Sequence, residues 1–495
     1  MAVVVALIPL VYLVVRTSEA GWARIAEELF TARVVELAAR SVALAAVVTG
    51  ACLVLGVGTA LLVVRTDLRF RRGFAVLAAL PLAVPSYVAG FAWMSAFPGF
   101  EGFWAAALVL TLGSYPYVFL PVAAALRRAD PAQEEVAASL GHGPLRALVG
   151  VSVRQVRPAV AGGALLVALY VLSDFGAVAV LRADTFTRAI FLAFDLGFDR
   201  TGALVLSCVL VVLTVLLLGG ETAVKRKGAR YSRVGGGLRL PATLRLGAFQ
   251  PIAAGALVAV AVLAFGVVAV NLVLRLAAGV SRAGAITEVA SAAATSLALS
   301  AAGAGLTVLL ALPLGFLAAR GSSLPATLLD RLAYLTHALP GLVVGLSLVF
   351  FGINVAYPLY QTVWLLALAY AALFLPLAVV SVAGAASAAP PVLGEVGRSL
   401  GAGPVRVAFT VSLPLVLPGI GAGAALVFLS AMKELPATLL LRPTGVDTLA
   451  TELWTHTTVA AYAAATPYAF LLVLMSAFPA WVLVRRTGVL TKESA

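Results

Sequence analysis

The stretch Glu135-Val136-Ala137-Ala138-Ser139-Leu140-Gly141 returns 260 residues later as Glu395-Val396-Gly397-Arg398-Ser399-Leu400-Gly401. Each copy is a short polar loop set between long apolar runs. The recurrence makes the chain two versions of one unit, and each version presents the same stub of helix and turn. Asp130-Pro131 and Pro390-Pro391 lead into the two copies, and Pro suits the first turn of a helix. A short helix of five or six residues is expected after them. Glu135 and Glu395 then fall in its first turn, where a carboxylate suits the helix dipole and can meet a cation on a partner. Gly141 and Gly401 end the stub, and Gly143-Pro144 and Gly403-Pro404 turn the chain again. A stub of this kind can dock in a groove of a soluble partner.

The runs around the loops set the class. Of the 495 residues, 62% are hydrophobic and only 11% charged, and the mean hydropathy is +1.07. Soluble domains are about half apolar and about a quarter charged. The expected fold class is therefore all-α, a polytopic membrane protein. Twelve spans are expected, near 1–15, 41–64, 74–97, 103–126, 158–181, 201–219, 251–274, 293–318, 330–352, 362–386, 413–432 and 466–484. Cys52 and Cys208 fall inside apolar runs and read as small core residues. His142, His337 and His456 have no ligand spacing, so no metal site is expected. No phosphate-cradling G-x-x-x-x-G-K-[ST] occurs, and no cluster of nucleophile and base suggests a catalytic residue.

Loop charge gives the orientation, because Lys and Arg favour the cytoplasmic side. Segments 65–72, 127–157 and 220–250 carry +3, +2 and +6; 319–331, 387–410 and the C-terminal tail bring their side to +15. The alternate loops are close to neutral: 16–40 holds four Arg against four Glu, and 182–200 three Arg against three Asp. Both termini and both Glu/Gly loops are thus expected in the cytoplasm. The net charge of +13 is a topology signal and does not imply nucleic-acid binding.

Residues 220–250, with Lys225-Arg226-Lys227 and Gly235-Gly236-Gly237, read as a basic cytoplasmic linker. It divides the chain into a first unit, 1–219, and a second, 251–495. The halves match in order. Arg40-Ser41-Val42-Ala43-Leu44 parallels Thr295-Ser296-Leu297-Ala298-Leu299, Arg65 parallels Arg320, and Leu80-Pro81 parallels Leu339-Pro340. Six spans return the chain to its starting side, so the repeats are parallel, related by an axis along the membrane normal, with the pathway at their interface.

The loops resemble the E-A-A-x-x-x-G coupling motif of ABC importer permeases, which is followed by I-x-L-P. The second copy completes that tail as Val411-Ser412-Leu413-Pro414; the first reads Val151-Ser152-Val153-Arg154. Both copies carry Val, at 136 and 396, where the motif has Ala. The strings Leu172-Ser173-Asp174-Phe175-Gly176 and Met432-Lys433-Glu434-Leu435-Pro436-Ala437-Thr438 resemble the iron(III) branch of fused, two-unit permeases. The resemblance implies a type I ABC importer permease fold in a prokaryotic inner membrane. It implies two copies of an ATPase subunit docked at Glu135, Ala137, Ala138 and Gly141 and at Glu395, Gly397 and Gly401. It further implies an extracytoplasmic binding protein that delivers substrate, with ATP and Mg held by the ATPase and no cofactor bound by this chain. Thiamine, polyamine or phosphonate are the alternative cargoes. A secondary transporter driven by an ion gradient also uses parallel repeats, but it leaves the paired loops without a purpose.

Asp174 and Glu434 stand 260 residues apart, near the outer end of the span after each Glu/Gly loop. Ionisable groups near a span are costly to bury and mark function by default. They either line an outer gate or cap a turn. Pro81, Pro85, Pro121, Pro340 and Pro376 are expected to break or kink helices. Tyr87, Trp93, Tyr115 and Tyr117 either line the pathway or belong to an interfacial aromatic belt, the belt being the expectation.

Overall fold

The structure, a computed structural model, describes residues 2–129, 131–195, 197, 199–228, 243–279, 286–319, 339–388 and 391–486. These residues are helical nearly throughout, with one parallel bridge between Thr66 and Leu244. Seven helices are long and apolar enough to cross a bilayer, and two bent pairs raise that number to nine. Three shorter apolar helices, Arg157–Ser173, Gly341–Asn354 and Tyr462–Ala477, fall on the remaining expected spans. The longest helices overshoot the membrane. Ala32–Arg65 has 34 residues, about 51 Å at 1.5 Å per residue, against a hydrocarbon core of about 30 Å.

Prolines cut one span cleanly. Arg71–Ala79 passes through a 3-10 turn, Leu80–Ala83, before Ser86–Ala96 leaves at a bend of 93°. Two prolines in five residues remove two backbone donors. Pro85 also forces Val84 out of the helical region, to φ −90°, ψ 120°. Pro85 and Pro340 take the same extended conformation, ψ 146° and 141°, ahead of their helices, so Pro340 corresponds to Pro85 and not, as expected, to Pro81. Pro121 and Pro376 do not break their helices. Each lies inside a continuing helix, Pro116–Arg127 and Val363–Ala388, because one missing donor is tolerated where neighbouring helices surround it.

The aromatic expectation is corrected as well. Tyr87, Trp93 and Tyr115 are buried inside the protein, and Tyr117 packs on Tyr170 with ring centroids 5.5 Å apart. Among the described residues the exposed tryptophans are Trp22, Trp104 and Trp364, and the last two are the second residues of helices Phe103–Ser114 and Val363–Ala388. They are the better belt residues.

Two compact units share the chain, and they are cut differently from the contiguous halves 1–219 and 251–495. One gathers Met1–Glu28, Asp199–Val211 and Ser281–Leu472; the other gathers Leu29–Phe198, Val212–Val280 and Val473–Ala495. The first helix of each half therefore packs with the body of the other half. Ala2 and Ala6 join a buried cluster with Ala304, Ala311, Leu375, Val379 and Val427, and Tyr12 meets Phe351 edge to face at 5.8 Å. Small residues at these contacts let backbones approach, the usual basis of helix association in lipid. In the other unit, Ser95 Oγ donates to Asn271 Oδ1 at 3.0 Å and Arg275 donates to the Ser95 carbonyl. Residues 229–242 of the expected linker 220–250 lie outside the described residues, and both its ends are structured. Helix Arg200–Gly228 runs through its start, and residues 244–250 are held against Arg65–Asp67.

Candidate functional site

Both Glu/Gly loops fold as short helices, Ala132–Ser139 and Pro391–Ser399, longer than the expected five or six residues. Asp130 and Pro390 lie outside the described residues. Each helix ends alike. Gly141 and Gly401 take φ +82° and +83°. His142 N donates to Ala137 O and Ala402 N to Gly397 O, both at 3.1 Å. This is a left-handed cap with a six-to-one hydrogen bond. A Cβ at either glycine would meet nothing within 4 Å, so the backbone angle, not space, demands glycine. Each loop then enters a four-residue helix and a π-helical turn, Leu148–Ser152 and Ala408–Ser412.

Each stub is seated by the same position. Ala137 is buried, and a Cβ at its equivalent, Gly397, would touch Val407 at 3.1 Å. Small residues at that position seat the helix on the protein. Glu135, Ala138 and Glu395 are exposed. Beside them run Val136 and Leu140, 59% and 74% exposed, and Val396 and Leu400, 47% and 81% exposed. Each stub thus offers an apolar pair four residues apart with an acid next to it, the arrangement of a helix that docks in a groove. The valines that depart from the motif's Ala are part of this outward face.

One loop has an anchor that the repeat does not disclose. Arg65, at the end of Ala32–Arg65, pairs with Glu134 through both guanidinium nitrogens, Nη1 reaching Oε1 at 2.8 Å. Ser152 on the π-helical turn donates to the same carboxylate and accepts from Arg65 at 3.2 Å. The Arg65 side chain is 3% exposed and that of Glu134 15%.

Asp174 and Glu434 both cap helices. Asp174 Oδ1 accepts from Ala177 N at 2.9 Å and Val178 N at 3.4 Å, at the start of Gly176–Val180. Ser86 and Tyr170 also hydrogen-bond that carboxylate. Glu434 accepts from Ala437 N and Thr438 N at 3.1 Å each, at the start of Pro436–Leu441. Its Oε1 occupies the space where a Cβ on Gly341 would lie. Ser86 and Gly341 are equivalent first residues of helices that follow Pro85 and Pro340. The longer acid is therefore matched by the smaller neighbour. Sequence reasoning named the acids but missed these partners, whose match shows only when the two halves are compared position by position.

The helix ends away from the stubs also repeat, with a difference. Ser41 Oγ accepts from Phe186 N at 3.1 Å, and Ser296 Oγ from Leu449 N at 2.9 Å. Around the first tie, Arg33, Arg40 and Arg188 surround Asp184. The equivalent positions of the second half are Glu288, Thr295 and Thr451, and Asp447 pairs with Arg442. A cavity of about 440 Å³ opens there, lined by Glu288, Asp447, Glu452 and Tyr468. Among the described residues no cluster of His, Cys, Asp and Glu is arranged to hold a metal ion.

The profile of the family described as binding-protein-dependent transport system inner membrane component matches residues 52–230 and again 311–485. The chain is 39% identical over 480 residues, 96% of its length, to the Fe(3+)-transport system permease protein FbpB 2 of Haemophilus influenzae, of which it covers 95%. Molybdenum transport system permease protein ModB of Mycobacterium tuberculosis is 33% identical over 202 residues, 37% of this chain and 76% of that protein. Sulfate transport system permease protein CysT of Escherichia coli is 27% identical over 236 residues, 43% of this chain and 84% of that protein. Two matches to one profile, each containing one of the capped stubs, place this chain in the binding-protein-dependent transport inner-membrane component family, with two copies of the family's unit in one polypeptide.

Proposed function

We propose that this chain is the membrane permease of an ATP-driven importer for ferric iron. Two copies of a separate ATPase subunit dock on Ala132–Ser139 and Pro391–Ser399, and an extracytoplasmic binding protein delivers the cargo. The observation that carries the coupling role is the pair of stubs with matching left-handed caps and matching exposed Val/Leu faces. ATP and Mg belong to the ATPase; this chain contributes the path and the docking helices. Loop charge supports cytoplasmic termini and stubs. Iron rests on the near-full-length likeness to the Haemophilus influenzae protein.

Two measurements test this reading. Cells carrying the chain with its ATPase and binding protein should take up radiolabelled ferric iron, and cells lacking only this chain should not. Uptake of molybdate, sulfate, thiamine or phosphonate with no iron uptake would overturn the cargo. The ATPase should co-purify with the chain and be lost on Glu135→Arg together with Glu395→Arg. Iron uptake that survives ATP depletion would overturn the coupling.

A further inference from the structure

The Arg65–Glu134–Ser152 cluster ties three elements together: the end of helix Ala32–Arg65, the first stub and the π-helical turn after it. The stub is also seated by buried Ala137, and Gln133 Oε1 accepts from Gln155 Nε2 at 2.9 Å. Arg65 is itself held from behind. Leu244 N donates to Arg65 O at 2.8 Å, Asp67 N to Leu244 O at 3.1 Å, and Leu246 N to Asp67 Oδ1 at 2.8 Å. Gln250 Nε2 adds a bond to Asp67 O at 3.1 Å. A guanidinium fork on a carboxylate fixes angle as well as distance. A buried pair of this kind specifies one arrangement more than it adds stability.

The second half cannot build the same joint. Ser412 keeps the place of Ser152, but the position of Glu134 is Gly394, which offers no carboxylate. Arg320, the counterpart of Arg65, lies outside the described residues. Both stubs keep their caps and exposed faces, so docking surfaces are alike while one anchor is missing.

We propose that Arg65, Glu134 and Ser152 are positioning residues that make the first stub move as one body with helix Ala32–Arg65, and that the second stub is joined more softly. ATPase motion then reaches the membrane helices unequally through the two stubs. The consequence for transport rests on the reading of the stubs as ATPase docking helices; the stiffness itself does not.

Amide exchange of the purified full chain tests the stiffness without any partner. Residues 132–141 should exchange about tenfold more slowly than 391–401, and Glu134→Gln should erase that difference while 391–401 stays unchanged. Equal exchange in the wild-type chain overturns the proposal. The second measurement uses the complex with its ATPase and binding protein in vesicles. Glu134→Gln should keep the ATPase bound, yet raise the ATP hydrolysed per iron moved by about fivefold. Arg65→Lys, which keeps the charge but loses the fork, should fall between, and it serves as the test if the Glu134 variant fails to fold. An unchanged ratio overturns the proposal, and so does release of the ATPase, which would make Glu134 a docking contact. A wild-type chain that binds no ATPase would overturn the reading of the stubs and leave the exchange result to decide the stiffness.

Discussion

Glu434 is one methylene longer than Asp174, and Gly341 lacks the hydroxymethyl group of Ser86. The two pairs fill the same kind of corner, where a carboxylate caps a short helix next to the first residue of another. Gly341→Ser should push Glu434 off its cap. That costs about 1 kcal/mol for the lost cap and about 1–3 kcal/mol for overpacking. Adding Glu434→Asp recreates the pair already used in the first half and should restore most of the loss. Thermal unfolding of the purified chain in detergent reads both steps; a double variant less stable than Gly341→Ser alone sinks the pairing. The acids were legible in the sequence because they are charges beside apolar spans. Gly141 and Gly401 were legible too, since a glycine after a short helical run marks a left-handed cap. Glu134 was not. A comparison of repeats keeps what both copies share, and Glu134 faces a glycine in the other copy.

Most helices follow from apolar run length alone, because a backbone in lipid has no other way to satisfy its donors. Breaks are harder to read. Pro81 and Pro85 lie four residues apart and cut the span, whereas the helices of Pro121 and Pro376 continue, and so does that of Pro418, four residues after Pro414. Proline spacing alone is therefore not the signal; what matters is whether the surroundings satisfy the freed backbone groups. The stubs show how a face can be read only partly. Sequence spacing put Glu135 and Glu395 in the first turn, but seating by Ala137 and Gly397 decides which side chains point outward. Val136 and Val396 are on that outward side, so changing them should spare folding. Val136→Asp with Val396→Asp is expected to leave yield and melting of the free chain within about 0.5 kcal/mol of wild type while abolishing ATPase co-purification. Retained binding would mean that the apolar faces of these stubs are not what the ATPase grips.

The order of spans and the duplication were visible in the sequence, while the exchange of first helices was not. A helix that is apolar all round carries no pattern that names its neighbour; the choice is made by small residues meeting small residues. Ala2 and Ala6 against Ala304 and Ala311 are such a meeting, and repeat alignment cannot reveal it. The exchange also explains why one polypeptide suits this architecture, since each half is completed by a helix encoded in the other. Tyr12 and Phe351, whose rings are 5.8 Å apart, give the test. The chain is cut within 229–242, both pieces are expressed together, and Cys52 and Cys208 are replaced by Ala so that no other thiols remain. Tyr12→Cys and Phe351→Cys are then introduced, one on each piece. Oxidation should join the pieces into one full-length band on a denaturing gel, reversed by reductant. A control with Phe351 intact should give two bands. If first helices stay with their own halves, residue 12 has no route to residue 351 and no joined band forms.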